Sequence, residues 1–312
     1  MTPFVRTLIL AIAGVLLLGA VGFAYVKAEA GSAPQGSVAA AAICSQITAP
    51  IPLIGKAAYA EDISTGKVLY ESNADAQLPL ASLTKLMTVL VASSILTPDD
   101  TVTVTPDALT PDTDTNGLVT GEAWRAQDLT DFTLTVSAND GAHALALAAG
   151  QKAGITEDQY ISKMNAEAAR LGMRQTFYMN DTGLDISTTT AGAYGSAHDI
   201  AALFTYLAKN EPRLIESTTA DTRTFVSLSG VSHDASNTSP VISGLDGAIG
   251  SKTGYTDLAG GNLAVVFEPI LGHPIVAVVL GSTRDGRNTD MQALAKAAQA
   301  FLKTAIICES AP

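Results

Sequence analysis

The chain has 312 residues, of which 47% are hydrophobic, so it is long enough to bury one large core or one core with an inserted subdomain. Its formal net charge is −12 and its lysines and arginines form no run, which argues against a nucleic-acid-binding protein. Aromatic residues make up only 5% of the chain, so the sequence offers no evident platform for stacking bases.

The first element in chain order is an uncharged segment of twenty residues, Thr7–Val26, between Arg6 and Lys27. At about 1.5 Å per residue, a helix of this length spans roughly 30 Å, the thickness of a bilayer core. The segment is longer than the usual apolar region of a signal peptide, although Ala28-Glu29-Ala30 could serve a signal peptidase. We therefore expect residues 1–27 to be a retained membrane anchor, with a cleaved signal peptide as the alternative.

Residues 28–48 are rich in alanine, glycine and serine, which predicts a linker to a catalytic domain formed by residues 49–312. The two cysteines of the chain are Cys44, just before that domain, and Cys308, near its end. In an oxidising compartment they could form a disulfide bond that joins the two ends of the domain. The alternative is two separate thiols.

The hydrophobic pattern of the domain predicts strands at both ends and helices between them. We expect strands at 57–61, 67–71, 261–268 and 274–281, and helices at 82–96, 141–150, 157–171, 198–209 and 288–307. The predicted fold class is α+β, with a mostly antiparallel sheet built from both chain ends and an inserted helical subdomain.

Two segments match the Ser-x-x-Lys pattern of an acyl-transfer nucleophile, Ser64–Lys67 and Ser82–Lys85. A serine hydroxyl needs a base within hydrogen-bond reach, and residues i and i+3 share a face when they are helical. Apolar residues recur at helical spacing after Ser82, whereas Ser64 lies between two predicted strands in a sequence typical of a turn. The pattern therefore predicts Ser82 as the nucleophile, Lys85 as its base and Ser64 as an exposed turn residue.

Two further motifs follow in the order typical of penicillin-recognising acyl transferases, Ser137-Ala138-Asn139 and Lys252-Thr253-Gly254. We expect Ser137 to relay a proton between Lys85 and the leaving nitrogen, and Asn139 to hold the lysine and the substrate amide in register. Asn139 and Asp140 also precede an alanine-rich pattern, which predicts a helix cap at these residues.

The third motif carries the groups that we expect to bind substrate. Lys252 supplies positive charge near the base and near a substrate carboxylate, and Thr253 can donate a hydrogen bond to that carboxylate. Gly254 lets a substrate backbone approach a strand edge without a Cβ atom in the way. An oxyanion hole needs two backbone N–H groups, and the natural candidates are those of Ser82 and Tyr255.

Several segments of the chain resemble the D-alanyl-D-alanine carboxypeptidases of the low-molecular-mass penicillin-binding protein group, peptidase family S11. They are Leu80–Thr88, Asn180–Asp185 followed by Ser196–Asp199, Lys252–Asp257 with Ala259-Gly260, and Gly281–Arg284 followed by Arg287. The resemblance covers roughly residues 55–305. The stretch before Ser137 is unusually rich in aspartate and threonine, so the cleft edge there is expected to differ from the family pattern.

This resemblance implies a β-lactamase/transpeptidase-like fold and an enzyme without a cofactor that removes the terminal D-alanine from peptidoglycan stem pentapeptides through an acyl-enzyme on Ser82. It implies that Arg287 helps to bind the terminal carboxylate and that β-lactams acylate the same serine. It further implies a bacterial enzyme whose catalytic domain lies outside the cytoplasm. Many members carry a second, β-rich domain and a C-terminal amphipathic anchor, so we expect residues 7–26 to attach this chain to the membrane instead.

Three other functions stay open from the sequence. A D,D-endopeptidase, which cuts peptidoglycan cross-links, uses the same machinery and is hardly separable by motif. A β-lactamase is disfavoured because no Glu-x-x-Leu-Asn segment follows Ser137. A catalytically silent wall-binding module is disfavoured because all the catalytic residues are present.

The sequence supports no metal site. Asp112–Gly117 matches the opening of a calcium loop, but the twelfth position is Ala123 rather than a glutamate, so we expect a polar surface loop. The four histidines lie at no metal-ligand spacing and are expected to be structural or on the surface: His143, His198, His233 and His273. Trp124 is expected to pack in the core.

Overall fold

A computed structural model of the chain describes residue 47, residues 49–109 and residues 116–310, with side chains up to residue 305. The predicted anchor, nearly all of the predicted linker, the aspartates of the calcium-like segment and Cys44 lie outside these residues, as does the side chain of Cys308. The anchor, the disulfide bond and the domain limits therefore stay predictions. None of the helices in the described residues combines the length and apolar character needed to cross a bilayer.

The described residues alternate between short strands and helices in the first two thirds and end in long strands and one long helix. In chain order the elements are β1 (Ala57–Asp62), β2 (Lys67–Ser72), β3 (Leu78–Pro79), α1 (Thr84–Ser93), β4 (Thr101–Thr103), β5 (Ala123–Arg125), α2 (Ala126–Val136), α3 (Asn139–Ala153), α4 (Glu157–Arg170), β6 (Phe177–Tyr178), β7 (Ala193–Gly195), α5 (Ala197–Asn210), β8 (Thr222–Val226), β9 (Ser232–Ser236), β10 (Ala248–Thr256), β11 (Gly260–Phe267), β12 (Ile275–Ser282) and α6 (Gly286–Ser310).

A five-stranded antiparallel sheet joins the two ends of the domain, in the order β10-β11-β12-β1-β2. The central strand β12 is buried from Ile275 to Leu280, because its valine-rich run is covered on both faces. One face packs against Met291, Leu294 and Ala298 of α6, and the other faces the helical region that includes α1 and α5. The predicted fold class is confirmed, and the last predicted helix, 288–307, lies within α6.

The helical region surrounds α1, whose residues Thr84–Ala92 are all buried. Helices α3, α4 and α5 pack against this helix, and β10 packs against the turn that precedes it. The start of α1 therefore lies where the edge strand of the sheet meets the helical region, and this junction positions the site described below.

Helix α2 was not predicted from the sequence, because its threonines and aspartates obscure the apolar periodicity. The threonine hydroxyls are satisfied within the helix: Thr130 donates to the Ala126 carbonyl and Thr135 to the Asp131 carbonyl, each at 2.8 Å. The residues Leu129, Phe132 and Leu134 of this helix are buried.

Candidate active site

The predicted nucleophile segment lies in a short 3-10 turn, Ala81–Leu83, that leads directly into α1. Lys85 Nζ lies 2.8 Å from Ser82 Oγ, so the structure brings these two side chains together. Ala81 adopts a left-handed conformation with φ 50°, which an alanine rarely takes. Its carbonyl accepts a hydrogen bond from Thr84 Oγ1 at 2.8 Å, which helps to hold this strained turn.

Lys85 is fully buried, and its nitrogen has two further partners, Asn139 Oδ1 at 2.6 Å and the Thr182 carbonyl at 2.9 Å. Burial lowers the pKa of Lys85 to about 7, against the opposing charges of Asp181 and Asp140. Both further partners are pure acceptors in this geometry. A neutral amine can donate its two hydrogens to them and keep its lone pair for the Ser82 proton.

The second motif lies at the break between two helices. Ser137 ends α2 in a left-handed conformation, with φ 66° and ψ 35°, and α3 begins two residues later at Asn139. The predicted cap at Asn139 and Asp140 is wrong, because Ala138 occupies the cap position and has no side chain that could cap the helix. Asp140 lies inside the first turn, where its Oδ1 accepts from Gly141 N at 2.8 Å. The Asn139 amide is instead turned toward Lys85, since the left-handed residue redirects the chain before the helix starts.

The third motif lies on the edge strand β10, next to the second. Lys252 is buried and its nitrogen donates to Ser137 Oγ and to the Thr253 carbonyl, each at 2.8 Å. Burial, together with the charges of Lys85 and Arg287, lowers the pKa of Lys252 well below its ordinary value. The residue predicted to supply positive charge is thus held in surroundings that disfavour that charge.

Arg287 lies behind the same strand and donates from Nη1 to the Gly254 carbonyl at 2.8 Å. Its buried Nε has no hydrogen-bond partner among the described residues. Burial and the charge of Arg284 lower the pKa of Arg287. Arg284 itself stacks over the Tyr255 ring, 4.3 Å from the ring centroid. Three basic side chains, those of Lys252, Arg284 and Arg287, therefore lie along the last residues of β10.

Gly254 has a role that the sequence reasoning did not find. A Cβ atom at this position would lie 2.8 Å from the Leu80 carbonyl and 3.2 Å from Ser82 N. The missing side chain therefore lets the nucleophile segment itself approach the strand.

The neighbouring Thr253 hydroxyl lies 2.6 Å from Thr238 Oγ1, a partner that no sequence motif indicates.

Asn262 on β11 is a second residue that sequence reasoning missed. It is fully buried, and its amide nitrogen donates to the carbonyls of Pro79 and Leu80 at 2.9 and 3.0 Å. Its oxygen accepts from Gly281 N at 2.8 Å. The side chain thus ties the sheet to the residues that precede the nucleophile. The one sequence signal for Asn262 is its position directly after Gly260-Gly261, next to the Lys252–Asp257 segment that resembles the family.

The Asn180–Asp185 segment lies against the nucleophile turn and α1. A Cβ atom on Gly183 would lie 2.0 Å from the Ala81 carbonyl oxygen, and this glycine has φ 80°. Thr88 Oγ1 donates to the Asp181 carbonyl at 2.6 Å. Asp185 accepts from Thr256 Oγ1 at 2.9 Å and so connects this segment to the end of β10.

Ser64 lies in the turn between β1 and β2, as predicted, and is exposed. Its hydroxyl donates to Asp62 Oδ1 at 2.7 Å. The same Asp62 lies 2.9 Å from Nδ1 of His273, and Ser64 Oγ lies 3.4 Å from that same nitrogen. A Ser-His-Asp triad needs the two ring nitrogens to contact different partners, so this cluster is a turn and not a second catalytic site.

The other histidines are also paired with carboxylates. His233 is buried against Glu122 at 2.7 Å and packs beside Trp124, which lies in the core as predicted. His198 forms an exposed contact with Asp75 at 3.1 Å. His143 contacts Asp181 at 2.7 Å.

One set of side chains in the described residues has potential metal-ligand atoms within reach of one another. His143, Glu157 and Asp181 each offer one such atom, and these atoms lie within 4.8 Å of one another. The contact between His143 Nδ1 and Asp181 Oδ2 is a hydrogen bond, and Glu157 lies exposed beside it. We therefore describe His143 and Asp181 as a hydrogen-bonded pair with Glu157 beside it, and assign no metal to the set.

A family model for D-alanyl-D-alanine carboxypeptidases, peptidase family S11, matches residues 45–284 of the chain. The chain is 31% identical over 210 residues to the D-alanyl-D-alanine carboxypeptidase DacF of Bacillus subtilis, which covers 64% of this chain and 51% of that protein. It thus spans about half the length of that relative. It is also 31% identical over 234 residues to a D-alanyl-D-alanine endopeptidase of Pseudomonas aeruginosa, covering 73% of this chain and 71% of that protein.

Among solved structures, the chain is similar to penicillin-binding protein D2 of Listeria monocytogenes in its ampicillin-bound form. The TM-score is 0.68 at 28% sequence identity, with 80% of this chain and 99% of that chain covered. The fold described above is therefore that of a penicillin-binding domain.

Proposed function

Because the chain belongs to the D-alanyl-D-alanine carboxypeptidase family S11, we propose that it is a serine-type enzyme that removes the terminal D-alanine of peptidoglycan stem pentapeptides. The observation that carries this proposal is the 2.8 Å contact of Ser82 Oγ with the fully buried Lys85 Nζ. A lysine whose pKa is lowered to about 7 is half unprotonated near neutral pH and can act as a general base.

In the first half of the proposed reaction, Ser82 Oγ attacks the carbonyl carbon of the penultimate D-alanine while Lys85 takes the hydroxyl proton. The backbone N–H groups of Ser82 and Tyr255 stabilise the oxyanion. The bond to the terminal D-alanine then breaks, and its nitrogen takes the proton that Lys85 received from Ser82, relayed through Ser137, so that Lys85 is neutral again. Because the Ser137 hydroxyl accepts a hydrogen bond from Lys252, its own proton is free for this transfer.

In the second half, water attacks the ester carbon of the acyl-enzyme. Lys85 accepts a proton from that water, the bond to Ser82 Oγ breaks and the serine recovers its proton. The Asn139 amide, which already binds Lys85 through its oxygen, can direct its NH₂ group to the substrate amide. No step requires a metal or a cofactor.

Recognition of the terminal carboxylate follows from the charges around β10. The groups whose charges act most on the buried Lys252 are Lys85 and Arg287, both of them basic. A substrate carboxylate would therefore supply the missing counter-charge, with Thr253 donating a hydrogen bond to it. This is the support for assigning Lys252, Thr253 and Arg287 to substrate binding.

The same site suits β-lactams, because the Listeria relative was solved with ampicillin bound. Peptidoglycan lies outside the cytoplasm, so the proposal places the catalytic domain on that side of a bacterial membrane. Residues 7–26 would attach the domain to the membrane there.

The experiment that tests the proposal incubates the full chain with a peptide that ends in D-Ala-D-Ala and measures free D-alanine. We expect release by the wild type and by Ser64→Ala, and none by Ser82→Ala. Intact mass after benzylpenicillin should show one adduct on the first two proteins only. Release of D-alanine by Ser82→Ala would refute the mechanism, whereas destroyed penicillin without an adduct would favour a β-lactamase.

A D,D-endopeptidase is the second candidate, because one of the relatives carries that name. The two activities share the acyl-enzyme and differ in the leaving group. Cross-linked muropeptide dimers distinguish them: their cleavage without release of D-alanine from the pentapeptide would replace the first proposal by the second.

A further inference from the structure

His143 was expected to be structural or on the surface, yet the structure places it beside the machinery that holds the base. It lies on α3, one helical turn after Asn139. Its Nδ1 lies 2.7 Å from Asp181 Oδ2, and the two side chains are only 14% and 3% exposed. The two residues are 38 positions apart in the chain, so no local motif indicates the contact.

The pair joins the two elements that bind Lys85 Nζ. Apart from Ser82, the partners of this nitrogen are Asn139 Oδ1 on α3 and the carbonyl of Thr182, which directly follows Asp181. The Asp181 carbonyl is also fixed, by Thr88 Oγ1 of α1 at 2.6 Å. A bond between His143 and Asp181 therefore closes a ring of contacts around the base.

The pair also carries charge that acts on the base. Asp181 and Asp140 both favour the protonated form of Lys85, whereas Lys252 lies close enough for the two lysines to oppose each other. The hydrogen bond that His143 donates to Asp181, with the charges of Asp181, Glu157 and Asp107, raises the pKa of His143. A protonated His143 offsets the Asp181 carboxylate, which otherwise favours a protonated and therefore inactive Lys85.

We propose that His143 and Asp181 are positioning residues for Lys85. Their ion pair neutralises a buried carboxylate next to the base and holds the Asn139 and Thr182 acceptors in place, so that Lys85 stays free to take the Ser82 proton. The inference deepens the proposed function and rests on it for the role of Lys85 as the base. The electrostatic effect of His143 and Asp181 on Lys85 does not depend on the substrate.

The test measures the Lys85 pKa in the full chain by following the ¹³Cε chemical shifts of labelled lysines as a function of pH. The signal that is absent from Lys85→Met is the signal of Lys85. His143→Gln leaves Asp181 without its counter-charge, so the Lys85 pKa should rise by on the order of 1 pH unit. Asp181→Asn removes the charge, so the pKa should fall. The double variant should match Asp181→Asn, because His143 acts through the carboxylate. EDTA in every sample removes any divalent ion.

The acylation rate with benzylpenicillin, followed by intact mass across pH 5–10, gives the functional readout. For a pKa that rises from about 7 to about 8, His143→Gln should be about fivefold slower than wild type at pH 7 and nearly equal at pH 9.5. His198→Gln is the matched control, because it disrupts the exposed contact with Asp75. It should leave the profile unchanged.

Opposite shifts in the two single variants support the proposal, since a purely structural role lowers the rate without moving the pH profile in two directions. Shifts in the same direction, or an unchanged Lys85 pKa, overturn it. If benzylpenicillin acylates no protein at any pH, the proposed function fails, and the chemical-shift titration alone decides the inference.

Discussion

Replacing Asn262 by alanine should destabilise the domain by about 3 kcal/mol. The substitution removes two hydrogen bonds to the Pro79 and Leu80 carbonyls and one from Gly281 N, in a place that is 0% exposed. Each buried partner left without a bond costs about 1–3 kcal/mol. The Leu80 carbonyl keeps a longer bond from Leu83 N at 3.3 Å, so its loss is only partial.

The same change should slow acylation, because the residues released are those that carry the strained Ala81 turn and Ser82. We expect a rate with benzylpenicillin at least about tenfold below wild type, since small displacements of a nucleophile reduce rates strongly. Asn262→Asp separates the two kinds of bond, because a carboxylate can accept from Gly281 N but cannot donate to the two carbonyls.

Urea unfolding followed by circular dichroism gives the free energy of unfolding, and intact mass gives the acylation rate at pH 8. Asn210→Ala is the control, because it makes the same change at an exposed position where the amide donates to the Tyr206 carbonyl. It should alter stability by less than about 0.5 kcal/mol. An Asn262→Ala protein within about 1 kcal/mol of wild type, with normal acylation, would refute the reasoning.

Two further predictions concern the base and the turn beside the nucleophile. Between about pH 7 and 10.5 the unfolded state keeps a Lys85 proton that the folded state has lost, so stability rises with pH there. The free energy of unfolding of wild type minus that of Lys85→Met should therefore grow by about 1.4 kcal/mol per pH unit, whereas parallel curves in urea titrations would contradict the lowered pKa. Gly183→Ala should cost at least about 3 kcal/mol, because the new Cβ meets the Ala81 carbonyl oxygen at 2.0 Å. Gly172→Ala, at a similar φ of 76° but with nothing within 4 Å, should cost only about 1 kcal/mol, and equal losses would exclude the collision as the cause.

The order and type of most elements followed from local pattern. The apolar face of α6 and the strand pair around Ser64 were predictable because each depends on residues close together in the chain. Helix α2 was missed because its threonines and aspartates obscure the apolar periodicity. Only the structure shows that the hydroxyls of Thr130 and Thr135 donate to carbonyls four residues earlier. The cap at Asn139 was wrong because a partner 54 residues away takes that side chain.

The pairing of Ser82 with Lys85 was determined by the sequence alone, because i,i+3 spacing at a helix start brings two side chains together without help from the rest of the fold. The three motifs likewise named the residues that meet at the site. The tertiary structure decided how these residues are held and charged. Burial, the amide of Asn262 and the His143–Asp181 pair act across the fold, and a pKa depends on every charge and dipole nearby rather than on neighbours in sequence.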